Sequence, residues 1–281
     1  MINSVILSYI TFVYFFSFLL YLMMMVIGKE IFGRLATIVT LSGLVGHTFG
    51  IALRWIESYR LGIGHAPLSN LYESLIFFSW AILVLYAVVE RRTRNRTLGT
   101  FVTPLAFLAM AYASYSPNIK THIQPLLPAL KSNWLIAHVI TCFFGYAAFG
   151  VAFGLSLMYL LKQRDQGEES SLFLKLIPAK HILDDLNYQM VVIGFLLLTL
   201  GIITGSVWAH SAWGRYWGWD PKETWSLITW LVYAALLHSR LMRGWRGKRM
   251  AILSILGFLC VLFTYFGVNY LPGLHSYATS S

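Results

Sequence analysis

The sequence predicts an all-α integral membrane protein, a polytopic bundle of about eight transmembrane helices with an external tryptophan-rich loop. Of its 281 residues, 58% are apolar and only 11% are charged, whereas soluble domains carry about 25% charged residues. The mean hydropathy is +0.66, and nearly charge-free stretches recur along the chain. Residues 1–281 are therefore expected to form a single polytopic membrane domain.

Eight apolar stretches approach the ~20 residues that a helix needs to cross the hydrocarbon. They are 5–27, 36–53, 71–89, 98–116, 134–161, 187–207, 224–239 and 250–269. The stretch 224–239 is the shortest, but Arg240 beside it can extend toward the headgroups and let the helix continue. The first stretch has no basic residue before it and no small-residue cleavage site after it, so we expect a retained anchor.

The basic residues predict the topology, because cytoplasmic segments are enriched in Lys and Arg. With both termini outside, fifteen basic residues face the cytoplasm and six face outward. The fifteen are Lys29, Arg34, Arg91, Arg92, Arg94, Arg96, Lys162, Arg164, Lys175, Lys180, Arg240, Arg243, Arg246, Lys248 and Arg249; the six are Arg54, Arg60, Lys120, Lys131, Arg215 and Lys222. The net charge of +10 thus reflects topology and does not indicate a nucleic-acid partner. Residues 162–186 are predicted to be a cytoplasmic interfacial connector.

The external segment 207–225 concentrates aromatic residues. Five of the ten tryptophans lie there: Trp208, Trp213, Trp217, Trp219 and Trp225. An anchoring girdle would distribute its rings over both membrane faces, so these rings are expected to form a shaped surface. Within it, Asp220, Pro221 and Glu223 predict a helix start, with Asp as N-cap, Pro at the first position and Glu reaching back. Asn70 and Glu73 predict a similar start; the alternative, that Glu73 is an acidic group of an external pocket, is less favoured.

An indole-lined wall suits a flat π-rich ligand, and Arg215 or Lys222 can meet acidic groups on the ligand's edge. Haem is the candidate, and imidazole is a common ligand of its iron. Of the eight His, His138 and His275 are predicted at the depth of the loop, where they can approach one iron from opposite faces.

A third imidazole, that of His238, cannot join this pocket. It follows Thr224 by fourteen residues, which puts it roughly 20 Å deeper at about 1.5 Å per residue. Inside a bilayer it is a candidate functional group, although it can instead bond a neighbouring helix near Arg240. His47, near mid-membrane, is a weak candidate for its mate.

At these residues the chain resembles the CcsA/ResC family of cytochrome c biogenesis proteins, whose signature is a tryptophan-rich segment called WWD. The resemblance runs through VWAHSAWGRYWGWDPKETWSLITWLVYAALLHSR (207–240), WLIAHV (134–139) and, more weakly, GHAPLSNLYESLIFFSW (64–80). It covers nearly the whole chain in order. The CcmC and CcmF branches share the segment, but eight spans in 281 residues suit CcsA better. His210 departs from the usual residue at its place, which leaves its role open.

The resemblance implies a haem-handling subunit of a System II cytochrome c synthase, or haem lyase. His138 and His275 would be axial ligands of haem b outside the membrane, and His238 would bind haem arriving from the cytoplasm. The loop residues expected to bind haem are Trp208, Trp213, Arg215, Trp217, Trp219, Asp220 and Trp225. The implied partners are a CcsB/ResB-type membrane protein and an apocytochrome c with a Cys-x-x-Cys-His motif.

Two other functions fit the same histidines. A haem transporter would move haem without attaching it, and a di-haem electron-transfer subunit would need paired His at both depths on this chain. The expected location is the bacterial inner membrane or a thylakoid-type membrane, with the WWD loop on the periplasmic or lumenal side.

Overall fold

The structure is a computed structural model and describes residues 2–165 and 171–271, where the regular secondary structure is helical and no strand is present. The helices are α1 (Ile2–Ile27), α2 (Glu30–Arg60), α3 (Leu71–Thr93), α4 (Gly99–Tyr115), α5 (Asn133–Lys162), α6 (Leu172–Leu176), α7 (Lys180–Trp213), α8 (Pro221–Arg243) and α9 (Lys248–Tyr265), with 3₁₀ turns at Pro128–Leu130 and Gly267–Tyr270. The prediction of an all-α membrane protein is confirmed.

The eight long helices coincide with the eight predicted spans. Among the described residues, six of them are long and apolar enough to cross a membrane, namely α1, α2, α3, α5, α7 and α9. Helix α4 has only 17 residues, and α8 has 23 but is less apolar, so their status as spans stays a prediction. Helices α2 and α7 extend well beyond their apolar stretches, because polar residues continue both helices at each end.

The helices fall into two compact units. The first comprises Met1–Pro125 and Leu157–Leu183, and the second comprises Leu126–Ser156 and Asp184–Ser281. Helix α6 lies in the first unit within the predicted connector 162–186, and Leu172 at its start packs close to Gly28. The last residues of that connector already belong to α7, which begins at Lys180.

In the first unit, α1 packs on α2 and α4, and α3 packs on α4. Glycines let α1 and α2 approach closely, since a Cβ at Gly43 would lie 2.8 Å from the Tyr14 ring and one at Gly50 would lie 2.8 Å from Leu7. Polar groups in this interface pair with each other, as Tyr14 and His47 do through a 3.0 Å hydrogen bond to Nδ1.

A buried ion pair lies in the first unit where α2 meets the start of α3. Arg54 Nε donates to Glu73 Oε1 at 2.8 Å, and both side chains are at most 2% exposed. Arg54 also bonds Asn3 Oδ1 and the Thr121 carbonyl, so α2 is tied to the segment before α5. Asn70 accepts from the Glu73 amide at 2.9 Å, which confirms the predicted cap of α3. The carboxylate of Glu73, however, accepts hydrogen bonds from Arg54 and from the amide and hydroxyl of Ser69.

Candidate functional site

Helices α5 and α7 of the second unit approach each other closely, and this approach positions His138. The contacts repeat at three glycines of α7. An added Cβ would lie 2.5 Å from the Phe149 ring at Gly194 and 2.4 Å from Cys142 Sγ at Gly201. At Gly205 it would lie 2.6 Å from His138 Nδ1. Only glycine leaves room for those side chains of α5. The His138 ring is therefore packed directly against the backbone of α7.

The protonation of the His138 ring follows from its partner. Its Nδ1 lies 2.7 Å from the carbonyl oxygen of Gly201, and a carbonyl can only accept. Nδ1 must therefore carry the proton, so Nε2 holds the lone pair of the neutral imidazole. Cys142 Sγ, at 3.6 Å from Nδ1, supports the ring from the same helix. A backbone carbonyl that fixes the tautomer in this way is the usual orienting partner of a metal-binding His.

Trp208 connects His138 with the aromatic segment. The two rings are nearly parallel, with centroids 6.0 Å apart and an interplanar angle of 15°. Trp208 is 3% exposed, and its indole N–H donates to the Ala129 carbonyl at 2.8 Å. Trp213 meets Trp208 edge to face at 4.9 Å. One predicted site tryptophan thus stands beside the predicted iron ligand, and a second packs against the first.

The loop from Gly214 to Asp220 joins α7 to α8 and has a defined conformation. Gly214 and Trp219 both adopt positive φ, +73° and +56°, and such a value is uncommon for a tryptophan. Helix α8 then begins with the predicted capping box. Asp220 Oδ1 accepts from the Lys222 amide at 3.0 Å, and Glu223 Oε2 accepts from the amides of Asp220 and Gly218.

The capping carboxylates therefore hold the loop as well as the helix. Glu223 Oε2 accepts from the Gly218 amide at 2.7 Å. Gly218 is the residue between Trp217 and Trp219, so this bond holds the backbone between the two rings. Partial burial of Lys222 lowers the pKa of its ammonium group, and the Asp220 carboxylate opposes that shift.

The other rings of the segment are more exposed. Trp217 and Trp219 meet edge to face at 5.8 Å, and Trp219 is 69% exposed. The imidazole of His210 stacks on Tyr216 at 4.3 Å. Arg215 folds back over Gly218. These groups form an aromatic and cationic surface, and an exposed surface of this kind is what a flat ligand or a partner chain would contact.

The remaining site residues are not brought to this cluster within the described residues. Trp225 packs on Phe263 of α9, with centroids 4.1 Å apart. His238 is exposed on α8, two residues before Arg240, which pairs with Asp184 at 2.7 Å. His275 lies outside the described residues, so its predicted pairing with His138 stays a prediction.

Sequence reasoning missed three partners of His138 and Trp208: the Gly201 carbonyl, the close approach at Gly205 and the Ala129 carbonyl. Two of these are backbone carbonyl acceptors, which cannot be recognised from residue types. The four-residue spacing of Gly201 and Gly205 was the available signal, because glycines on one helix face indicate close helix packing.

The fold and the site define a polytopic helical membrane protein with an imidazole and an indole-rich surface grouped beside one loop. Residues 68–275 match the profile of the family described as Cytochrome C assembly protein. The chain therefore belongs to the cytochrome c assembly protein family, and its role lies in cytochrome c biogenesis.

Curated relatives support the same assignment. The chain is 40% identical to "Cytochrome c biogenesis protein CcsA" of Pyropia yezoensis over 282 residues, covering 87% of both chains. It is 43% identical to the protein of that name from Synechococcus sp. (strain CC9902), covering 82% of both.

A solved structure, "Cytochrome c Heme Lyase CcmF", is similar in fold. The match has a TM-score of 0.69 at 16% identity and covers 94% of this chain. This chain spans only 46% of that lyase's length.

Proposed function

We propose that this chain is the haem-holding subunit of a cytochrome c synthase. It receives haem b from the cytoplasmic side and presents it at an external pocket to apocytochrome c. The observation that carries the proposal is the setting of His138, whose Nδ1–H donates to the Gly201 carbonyl while its ring stacks on Trp208 of the WWD segment. That arrangement fits a haem ligand through Nε2, because the Nδ1 bond orients the ring and makes Nε2 more basic.

Haem is the substrate in this proposal, and the chain's residues hold it from several sides. His138 and His275 ligate iron from opposite faces. Trp208 forms the buried part of the wall, Trp213 and Trp217 form half-buried parts, and Trp219 forms the exposed part. Arg215 meets a propionate, and Asp220 acts by fixing the loop that carries the exposed rings.

The route to this pocket begins on the cytoplasmic side. His238, exposed on α8, binds haem there before the haem reaches the external pocket. As the family resemblance implies, a CcsB/ResB-type partner supplies the second imidazole. Trp225 lines the passage near the start of α8.

The chemistry at the external pocket is an addition. Each apocytochrome thiol forms a C–S bond with one vinyl carbon, and its proton ends on the other vinyl carbon, so two thioethers form with no external oxidant or reductant. The substrate supplies both nucleophiles. The chain contributes orientation, which is worth several kcal/mol when two reactants are held in register. The Cys-x-x-Cys-His imidazole then displaces one axial His, which releases the product.

The experiment is coexpression of this chain, its CcsB/ResB-type partner and an apocytochrome c, with haem staining on a denaturing gel. We expect covalent haem on the cytochrome, and none when the Cys-x-x-Cys-His cysteines are replaced by serine. Haem bound to this chain without any covalent product would favour the transporter function instead.

A further inference from the structure

The turn between α8 and α9 concentrates cations. Four basic side chains, Arg243, Arg246, Lys248 and Arg249, fall within seven residues, and all four are exposed. Among residues 2–165 and 171–271, no carboxylate lies within ion-pairing distance of them. This basic turn, residues 243–249, therefore presents uncompensated positive charge.

The nearest carboxylates are already engaged. Arg240 Nη1 pairs with Asp184 at 2.7 Å and its Nη2 pairs with Asp185 at 3.2 Å. The other oxygen of Asp184 accepts from the Gly247 amide at 2.8 Å. Both acidic side chains thus bind Arg240 and the backbone of the turn, and neither neutralises the four exposed cations.

The same contacts make the basic turn a fixed platform. Gly244 ends α8 in the left-handed conformation, and the Trp245 amide donates to the Ser239 carbonyl at 3.2 Å. With Gly247 tied to Asp184, both ends of the turn are held. Arg249 lies over the Trp245 ring at 5.2 Å, so an indole stands among the cations.

Two features point to an amphiphilic ligand. Leu241 and Met242, in the last turn of α8, are 68% and 72% exposed, so apolar surface adjoins the cations. Helix α9 is long and apolar enough to cross a membrane, and Lys248 and Arg249 begin it, which puts the basic turn at headgroup level. An indole at that level is also typical of a membrane interface.

We propose that the basic turn binds an anionic phospholipid, with the phosphate on Arg243, Arg246 and Lys248 and an acyl chain along Leu241 and Met242. Juxtamembrane clusters of four or more basic residues attract anionic lipids, and the apolar neighbours favour a lipid over free phosphate. The site lies apart from the WWD segment and does not depend on haem binding.

The test is a titration of the purified full-length chain by native mass spectrometry. Dioleoyl phosphatidylglycerol is compared with dioleoyl phosphatidylcholine for wild type, for Arg246→Gln/Lys248→Gln, and for the matched control Lys29→Gln/Lys180→Gln, whose two cations lie far apart in the sequence. The control removes two exposed cations from the same predicted side of the membrane. Each basic residue strengthens association about fivefold, so we expect roughly 30-fold weaker phosphatidylglycerol binding in the first variant and an unchanged affinity in the control.

Three results would overturn the proposal. Equal affinity of the wild type for the two lipids would remove the headgroup selectivity, and this comparison requires no variant. An equal loss in the control would show that net charge alone attracts the lipid. Displacement of phosphatidylglycerol by a large excess of inorganic phosphate would show a simple phosphate site.

Discussion

The chemistry of His138 is determined by atoms that belong to another helix. The carbonyl of Gly201 accepts a hydrogen bond from its Nδ1–H, and the missing side chain of Gly205 leaves space for its ring. A residue of α5 is thereby oriented by two backbone positions of α7. The first prediction follows from that space.

Gly205→Ala is expected to lower haem binding. The added Cβ would lie 2.6 Å from His138 Nδ1, so the ring must move and the bond to Gly201 must weaken. Loss of an orienting partner typically lowers metal affinity 10–100-fold, and we expect roughly 10-fold here. The haem-to-protein ratio of the purified chain, from the pyridine haemochrome spectrum, measures the effect.

A matched control is Gly46→Ala in α2. Its Cβ would lie 2.9 Å from the Cδ1 atom of Ile10, the far end of a flexible side chain that can rotate away. We expect haem content close to wild type in this variant. The interpretation of Gly205 is wrong if both variants keep their haem, or if both lose it equally.

At the scale of single elements, the start of α8 holds the aromatic loop. Glu223→Ala removes the acceptor of the Gly218 and Asp220 amides. Loss of a cap costs about 1 kcal/mol, so the melting temperature should fall by a few degrees. Tryptophan fluorescence should shift to the red as the rings around Gly218 become more hydrated.

The conservative change tests the cause. Glu223→Gln keeps a carbonyl acceptor at the same reach, so it should retain most of the stability and the fluorescence of the wild type. A Gln variant as unstable as the Ala variant would show that the negative charge, and not the hydrogen bonds, holds the loop.

The buried pair Arg54–Glu73 makes the first unit sensitive to the loss of either partner. Each single change, Arg54→Met or Glu73→Leu, leaves a buried charge without its partner and should cost about 3–5 kcal/mol. The double variant should cost clearly less than the sum of the two. Reversible unfolding in mixed micelles measures all three values.

An exposed pair gives the comparison. Arg96 lies 3.2 Å from Glu30, whose side chain is 70% exposed, and surface pairs contribute about 0–1 kcal/mol. Glu30→Gln should therefore change stability little. Burial would not be the cause if the double variant lost as much unfolding free energy as the two single variants together. It would also not be the cause if Glu30→Gln lost as much as either single variant.

For the whole molecule, the topology predicted from basic residues has a direct test. In a chain whose two cysteines are replaced by Ala, Tyr216→Cys should react with an impermeant maleimide in whole cells. Arg164→Cys should react only after lysis. Both positions are exposed, so accessibility depends on the side of the membrane. Labelling with the opposite pattern would invert the predicted orientation.

The sequence was sufficient for features that depend on residue type and spacing. Apolar stretches located the long helices because hydrocarbon thickness sets their length, and Asp220, Pro221 and Glu223 located the start of α8. The partners of Arg54 were not predictable: the sequence places Arg54 only on the external side, and the carboxylate that pairs with it, that of Glu73, belongs to a different helix. The tautomer of His138 was also inaccessible, because a backbone carbonyl of α7 sets it.

The most direct test of the central claim is the absorption spectrum of the purified chain, with and without dithionite, for wild type, His138→Ala and His275→Ala. His181→Ala serves as the control, since His181 is exposed at the opposite end of α7. If His138 and His275 share one iron, the wild type shows a six-coordinate low-spin haem. Either substitution then shifts the spectrum toward a five-coordinate haem, which added imidazole partly reverses. Unchanged spectra and haem content in both variants would contradict the shared axial pair.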